Sequence, residues 1–159
     1  MSVPAGITGV MAFHWKLVID ARHAPTLAEF WAAALEYEVE DQATLIGKLL
    51  AAGQIPESAV TEHHGRRTFR GLTAIRHPDD PYDETTGIGQ GRRILFQEVP
   101  EDKTVKNRLH IDIHSPDGLE SLAARLESLG ATRVREIDQG PAGHWWVMQD
   151  PEGNEFCAT

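Results

Sequence analysis

Residues 107–115, NRLHIDIHS, and 150–157, DPEGNEFC, decide how this chain folds. In the first, Leu109, Ile111 and Ile113 alternate with His110, Asp112 and His114, the period of a strand with one apolar and one polar face. In the second, Asp150-Pro151-Glu152-Gly153-Asn154 has the chemistry of a hairpin turn, with Pro suited to its second position and Gly able to take positive φ. Asn154 to Ala158 then returns as a last strand, with Glu155 and Cys157 on the face opposite Phe156. If the isoleucine and phenylalanine rows meet helices, His110 and Glu155 line the other, concave face.

Working outward, Leu27, Phe30, Trp31, Ala34 and Leu35 follow the spacing of one buried helical stripe, and Thr26 with Glu29 supplies a capping box. Leu119, Leu122, Leu126 and Leu129 form a second stripe, with Asp117 and Glu120 able to cap its start and Gly130 placed for a left-handed end. Residues 13–21, 93–99 and 143–148 read as strands, and 68–76 as a weaker one. Asp20 precedes Leu27 by the same interval as Asp112 precedes Leu119, so a repeated βαβββ unit is the simplest account. We expect one domain over 1–159, made of a module at 10–100 and a second at 107–159. A helical insert with its connector occupies 43–64, and 78–91 is a loop rich in Pro, Gly and Asp.

Composition narrows the function classes. The 159 residues carry a formal net charge of −9, which disfavours a phosphate backbone as partner. Cys157 is the single cysteine and forms no internal disulfide. No apolar run is long enough to span a membrane and the N-terminus has no basic leader pattern, so a cytoplasmic protein is the expectation.

The chemistry-bearing residues each carry two readings. An imidazole at His110 and a carboxylate at Glu155, facing one another across a cupped sheet, have the donor types of a divalent metal site; the alternative is a hydrogen-bonded histidine beside an edge charge. Of Trp145 and Trp146, alternation sends one into the core and leaves the other to wall a pocket. TGIGQG at 86–91 lacks the spacing and the following helix of a phosphate loop. His63-His64-Gly65-Arg66-Arg67 is either a solvated connector or a ligand-contacting loop. Cys157 lacks the partners of a nucleophile, and covalent catalysis is unsupported.

The segments LAEFWAAALEYEV (27–39), ILFQEVPEDKTVKNRLHIDIHS (94–115), LGATRV (129–134) and GHWWVMQDPEGNEFC (143–157) together resemble the glyoxalase-like branch of the vicinal oxygen chelate superfamily. That superfamily includes glyoxalase I, bleomycin-resistance proteins and extradiol dioxygenases. The resemblance implies an α+β fold, two paired βαβββ modules forming an open cupped mixed sheet with helices on the outer face. It also implies one metal ligand from each of four strands. His110, Glu155 and Gln97 occupy three of those positions, and the fourth falls on Lys16, or on His14 with altered geometry. A second departure is Glu36, where the family commonly has a glycine. The implied cofactor is a divalent metal such as Zn, Ni, Mn or Fe.

Two functions follow from this resemblance. One is a glyoxalase-like lyase or isomerase acting on a small carbonyl substrate through an enediolate. In it Glu155 moves the proton, while Lys16, His14 and Trp146 contact the substrate. The other is a metal-free, homodimeric protein that sequesters a small cationic ligand, as bleomycin-resistance proteins do.

Overall fold

The computed structural model describes residues 15–159. The N-terminal half has strand β1 (Leu17–Ala21), helix α1 (Ala24–Leu35), β2 (Glu38–Val39), helix α2 (Ala43–Ala51), the hairpin β3 (Val60–His63) and β4 (Arg66–Phe69), then β5 (Leu72–Arg76) and β6 (Arg93–Glu98). The C-terminal half has β7 (Asp112–Ile113), α3 (Leu119–Ser128), β8 (Thr132–Asp138), β9 (His144–Gln149) and β10 (Glu155–Ala158). Each half builds a four-stranded sheet, ordered β1-β6-β5-β2 and β7-β10-β9-β8. In both, the first strand runs parallel to the last and the other pairings are antiparallel. The expected α+β fold of two βαβββ units is therefore present, with the hairpin β3–β4 as a separate addition.

Strand alternation assigns the two faces of each sheet. Ala21, Ile75, Ile94 and Phe96 from one sheet, and Ile113, Met148, Phe156 and Ala158 from the other, join α1 and α3 in one buried cluster. The opposite faces carry Val18, Asp20, Leu95 and Gln97 in the N-terminal sheet, and Asp112, Val147, Glu155 and Cys157 in the C-terminal one. Trp31 anchors the junction: its ring packs edge-on to Phe156 at 5.2 Å and its Nε1–H donates to Asp150 Oδ2 at 3.1 Å. Asp150 also accepts from the backbone N–H groups of Glu152 and Asn154, so the expected turn at 150–154 is tied to α1 by the same carboxylate.

Several local expectations are corrected. Helix α1 begins at Ala24, and the cap is His23, in extended backbone, whose Nδ1 accepts from the Thr26 N–H; the Thr26–Glu29 capping box does not form. Gly118 caps α3 without a side-chain bond, and Glu120 instead accepts from Arg133 and from Trp146 Nε1. The strand at 13–21 begins at Leu17, leaving Trp15 85% exposed; residues 13 and 14 lie outside the described residues. β7 holds only Asp112 and Ile113 of the strand read at 109–114, because its parallel ladder to β10 covers only Cys157 and Ala158; just upstream, the Ile111 carbonyl still accepts from the Cys157 N–H. Leu109 is accordingly 80% exposed. The stretch 68–76 divides into two strands at Gly71, whose φ is +72°.

The glycines of TGIGQG serve packing. A Cβ at Gly87 would stand 2.1 Å from the Asp41 carbonyl oxygen, and β6 follows the loop, as expected of a connector. Among the described residues no helix is long and apolar enough to cross a membrane.

Candidate functional site

Two adjoining cavities meet at the C-terminal sheet. One, of about 400 Å³, is a crevice between edge strand β1 and residues 107–111, with Val18, Asp20, Trp31 and Leu109 among its walls. The other, of about 350 Å³, lies on the polar face of that sheet against Lys106, Asp112, Arg135, Trp145 and Val147. His110 and Glu155 border both. The alternation that puts His110 and Glu155 on one wall was readable in the sequence. The crevice was not, because it depends on how two distant strands approach.

Glu155 is held tightly. Its Oε2 accepts from the Asn107 backbone N–H at 2.9 Å and pairs with Lys103 Nζ at 3.0 Å, with both side chains less than one-fifth exposed. Burial pushes this carboxyl up, but the Asn107 N–H and the Lys103 ammonium outweigh it and hold the pKa at about 2. The folded value lies below the ordinary glutamate value. The stability this pair adds is thus complete above the ordinary value and is lost as pH falls toward about 2.

His110 is engaged as well, its Nδ1 lying 2.8 Å from Asp112 Oδ1. The ligand atoms of His110, Asp112 and Cys157 all fall within 4.8 Å of one another. Burial, and then the negative charge of Asp112, push the Cys157 thiol up to about 11, so it stays protonated near neutral pH.

The remaining sequence-derived residues lie elsewhere. Gln97 is exposed, pairs in register with Asp20 and borders neither cavity. Lys16 is exposed one residue ahead of β1 and also borders neither. His14 lies outside the described residues. Trp146 stands on the helix side, beneath the Arg133 guanidinium and packed against the core. Trp145, one residue away, is the tryptophan that reaches a cavity.

The residues present do not fit a divalent metal at the position implied by the resemblance. Gln97 and Lys16 line neither cavity that His110 and Glu155 border, and the Lys103 ammonium already pairs with Glu155 Oε2. A divalent cation on this carboxylate would be repelled by the ammonium paired with its Oε2. The arrangement is instead suited to non-covalent binding: flat apolar walls from Trp145, Val147, Val18 and Leu109, with Asp20, Asp112 and Arg135 as polar contacts.

Comparison with known proteins agrees with this architecture. A family model described as "Glyoxalase-like domain" matches residues 16–159. The fosfomycin resistance protein FosX from Mesorhizobium loti superposes with a TM-score of 0.56 at 9% identity, covering 93% of this chain and 90% of that one. FosX from Listeria monocytogenes, as a variant complexed with Mn(II) and 1S,2S-dihydroxypropylphosphonic acid, gives a TM-score of 0.54 at 10% identity, covering 93% and 89%. A glyoxalase/bleomycin resistance protein/dioxygenase family enzyme from Burkholderia phytofirmans gives 0.51 at 15% identity, covering 90% and 94%. At these identities the likeness is one of fold. No curated protein matches the chain.

Proposed function

The chain belongs to the glyoxalase-like domain family of the vicinal oxygen chelate superfamily, and from that premise we propose that it binds a small molecule in its cavity without a metal. The observation that carries this reading is the Lys103–Glu155 clasp. The carboxylate that an enediolate mechanism needs as a free base or metal ligand is neutralised by an ammonium at 3.0 Å and a backbone N–H at 2.9 Å. Asp20 on the crevice wall, Trp145 as a flat surface and the net charge of −9 favour an aromatic cation as ligand, with Arg108, Lys106 and Arg135 on the same walls restricting where its charge can sit. The exposed side chains of Trp15, Leu109 and Val105 support association of two copies, the homodimer expected of a sequestering protein.

Metal analysis combined with ligand titration tests the proposal. The protein purified after growth with Ni, Zn, Mn and Fe is expected to hold no metal that His110→Ala removes. Cationic aromatic compounds are expected to quench tryptophan fluorescence, with the response reduced in Trp145→Phe. One equivalent of metal lost in His110→Ala, or fluorescence unmoved by such compounds, overturns the reading.

A further inference from the structure

The hairpin β3–β4 has no counterpart in the C-terminal half, and its tip carries two adjacent histidines. His63 pairs with Arg66 in register, so His64 and Gly65 alone make the turn, with φ of +47° and +75°. Two positive φ values in a two-residue loop are the requirement of a type I′ turn, which matches the twist of its strands. Histidine is one of the few side-chain-bearing residue types that enter this region with any frequency.

The turn has a consequence for the rings. Consecutive residues in an extended strand project to opposite faces. Here the left-handed backbone at His64 brings its ring beside that of His63, with centroids 4.1 Å apart. Both Nε2 atoms reach the same oxygen of Glu29, on α1: His63 Nε2 lies 2.9 Å and His64 Nε2 3.3 Å from Glu29 Oε1. Glu29 is available for this because His23, not a Thr26–Glu29 capping box, closes the start of the helix.

Two imidazole nitrogens and one carboxylate oxygen thus converge, all within 4.8 Å of each other. Around a four-coordinate zinc with bonds of ~2.0–2.1 Å, neighbouring donor atoms stand roughly 3.3 Å apart. The two nitrogen-to-oxygen separations are already near that spacing. The cluster is graded in exposure, with side-chain values of 25% for His63, 41% for Glu29 and 70% for His64. One side is fixed against α1 and the other is open for water to complete the coordination.

We propose that Glu29, His63 and His64 form a binding site for a zinc-class divalent cation that pins the added hairpin to α1. The site is separate from the cavity and independent of the function proposed for it. Neutral imidazoles and a carboxylate are the donor set that borderline transition ions prefer, and alkaline-earth ions avoid. Binding joins residues 29 and 63 across the intervening chain, so it stabilises the fold by an amount that rises with the logarithm of the free ion concentration once that exceeds the Kd.

Equilibrium dialysis of the untagged full chain against Zn²⁺ tests this, with Co²⁺ absorption as a second probe of coordination. The expected result is about one equivalent of Zn²⁺ and a Tm that rises with its concentration. His64→Asn keeps a residue tolerant of positive φ while removing the imidazole, and is expected to weaken Zn²⁺ binding by at least about tenfold. Glu29→Gln, on the helix surface, is expected to do the same, and either variant without metal should melt as the parent does. His110→Ala should bind Zn²⁺ unchanged. No bound Zn²⁺, or binding insensitive to both His64→Asn and Glu29→Gln, overturns the site. Binding lost only in His110→Ala overturns it too, and in addition overturns the metal-free reading of the cavity, so the two failures are distinct.

Discussion

The two halves share one strand order and divide the work unequally. Helix α1 buries Leu27, Phe30 and Trp31 with five further residues, whereas α3 buries only Leu122, Ala123 and Leu126. The C-terminal sheet compensates by leaning on the other half's helix, through Trp31 against Phe156 and Asp150. Relieved of a thick core, that half presents its polar face to the cavities and carries both His110 and Glu155. Repetition of a topology therefore fixes neither where the stability lies nor where the ligand-facing residues lie.

The strongest way to break this contrast is Trp31→Ala. The side chain is 2% exposed, and its loss opens a large cavity and removes a donor from a buried carboxylate. A destabilisation of about 4 kcal/mol is expected by urea unfolding. Leu126→Ala, fully buried in α3, is expected to cost about 3 kcal/mol. A larger loss from Leu126→Ala would show that the halves are not unequal in this way.

Next in size is Arg93→Ala. Arg93 meets the buried Glu40 through two bonds, of 2.6 and 2.8 Å, and Glu40 also accepts from the Gly89 N–H, which ties the 78–91 loop to the N-terminal sheet. Removing the arginine strands a buried carboxylate, at an expected cost of about 3 kcal/mol. Partial recovery is expected in Arg93→Met combined with Glu40→Gln, measured as an increase in the urea midpoint. The C-terminal half shows no buried pair of this kind among the described residues. A negligible effect would locate the N-terminal half's extra stability wholly in its apolar helix.

How far the sequence could be read follows the same division. Helices α1 and α3, β6, β9 and the 150–154 turn were legible because apolar period and turn chemistry are local signals. β8 was missed: Thr132–Asp138 is mostly exposed and carries no apolar alternation of its own. The extent of β7 was overread, since alternation cannot show how much of a strand its partner's ladder will cover. At the site, His110 and Glu155 were found by face sharing. Lys103, in a loop without period, and Glu29, assigned to a cap it does not make, acquire partners only through tertiary approach.

Smaller effects sharpen the comparison at the ends of the two helices. Helix α3 is followed by Gly130 at φ +111°, a conformation that side chains rarely adopt. Gly130→Ala is expected to cost about 1–2 kcal/mol, read as a lower Tm. Helix α1 ends instead on Glu36, at φ +57°, the left-handed region that favours glycine. A side chain there is strained by about 1 kcal/mol, while glycine would give back part of that through the greater freedom of the unfolded chain. The net expectation for Glu36→Gly is a gain of about 0.5 kcal/mol. The exposed Glu36–Arg125 pair, at 3.6 Å, adds little to oppose it. Arg125 also donates to the Ala33 and Ala34 carbonyls at the end of α1, and these bonds survive the substitution. A loss of stability in Glu36→Gly would therefore mean that Glu36 is needed to aim Arg125 at those carbonyls. The strained residue would then join the halves, as Trp31 does through Phe156 and Asp150.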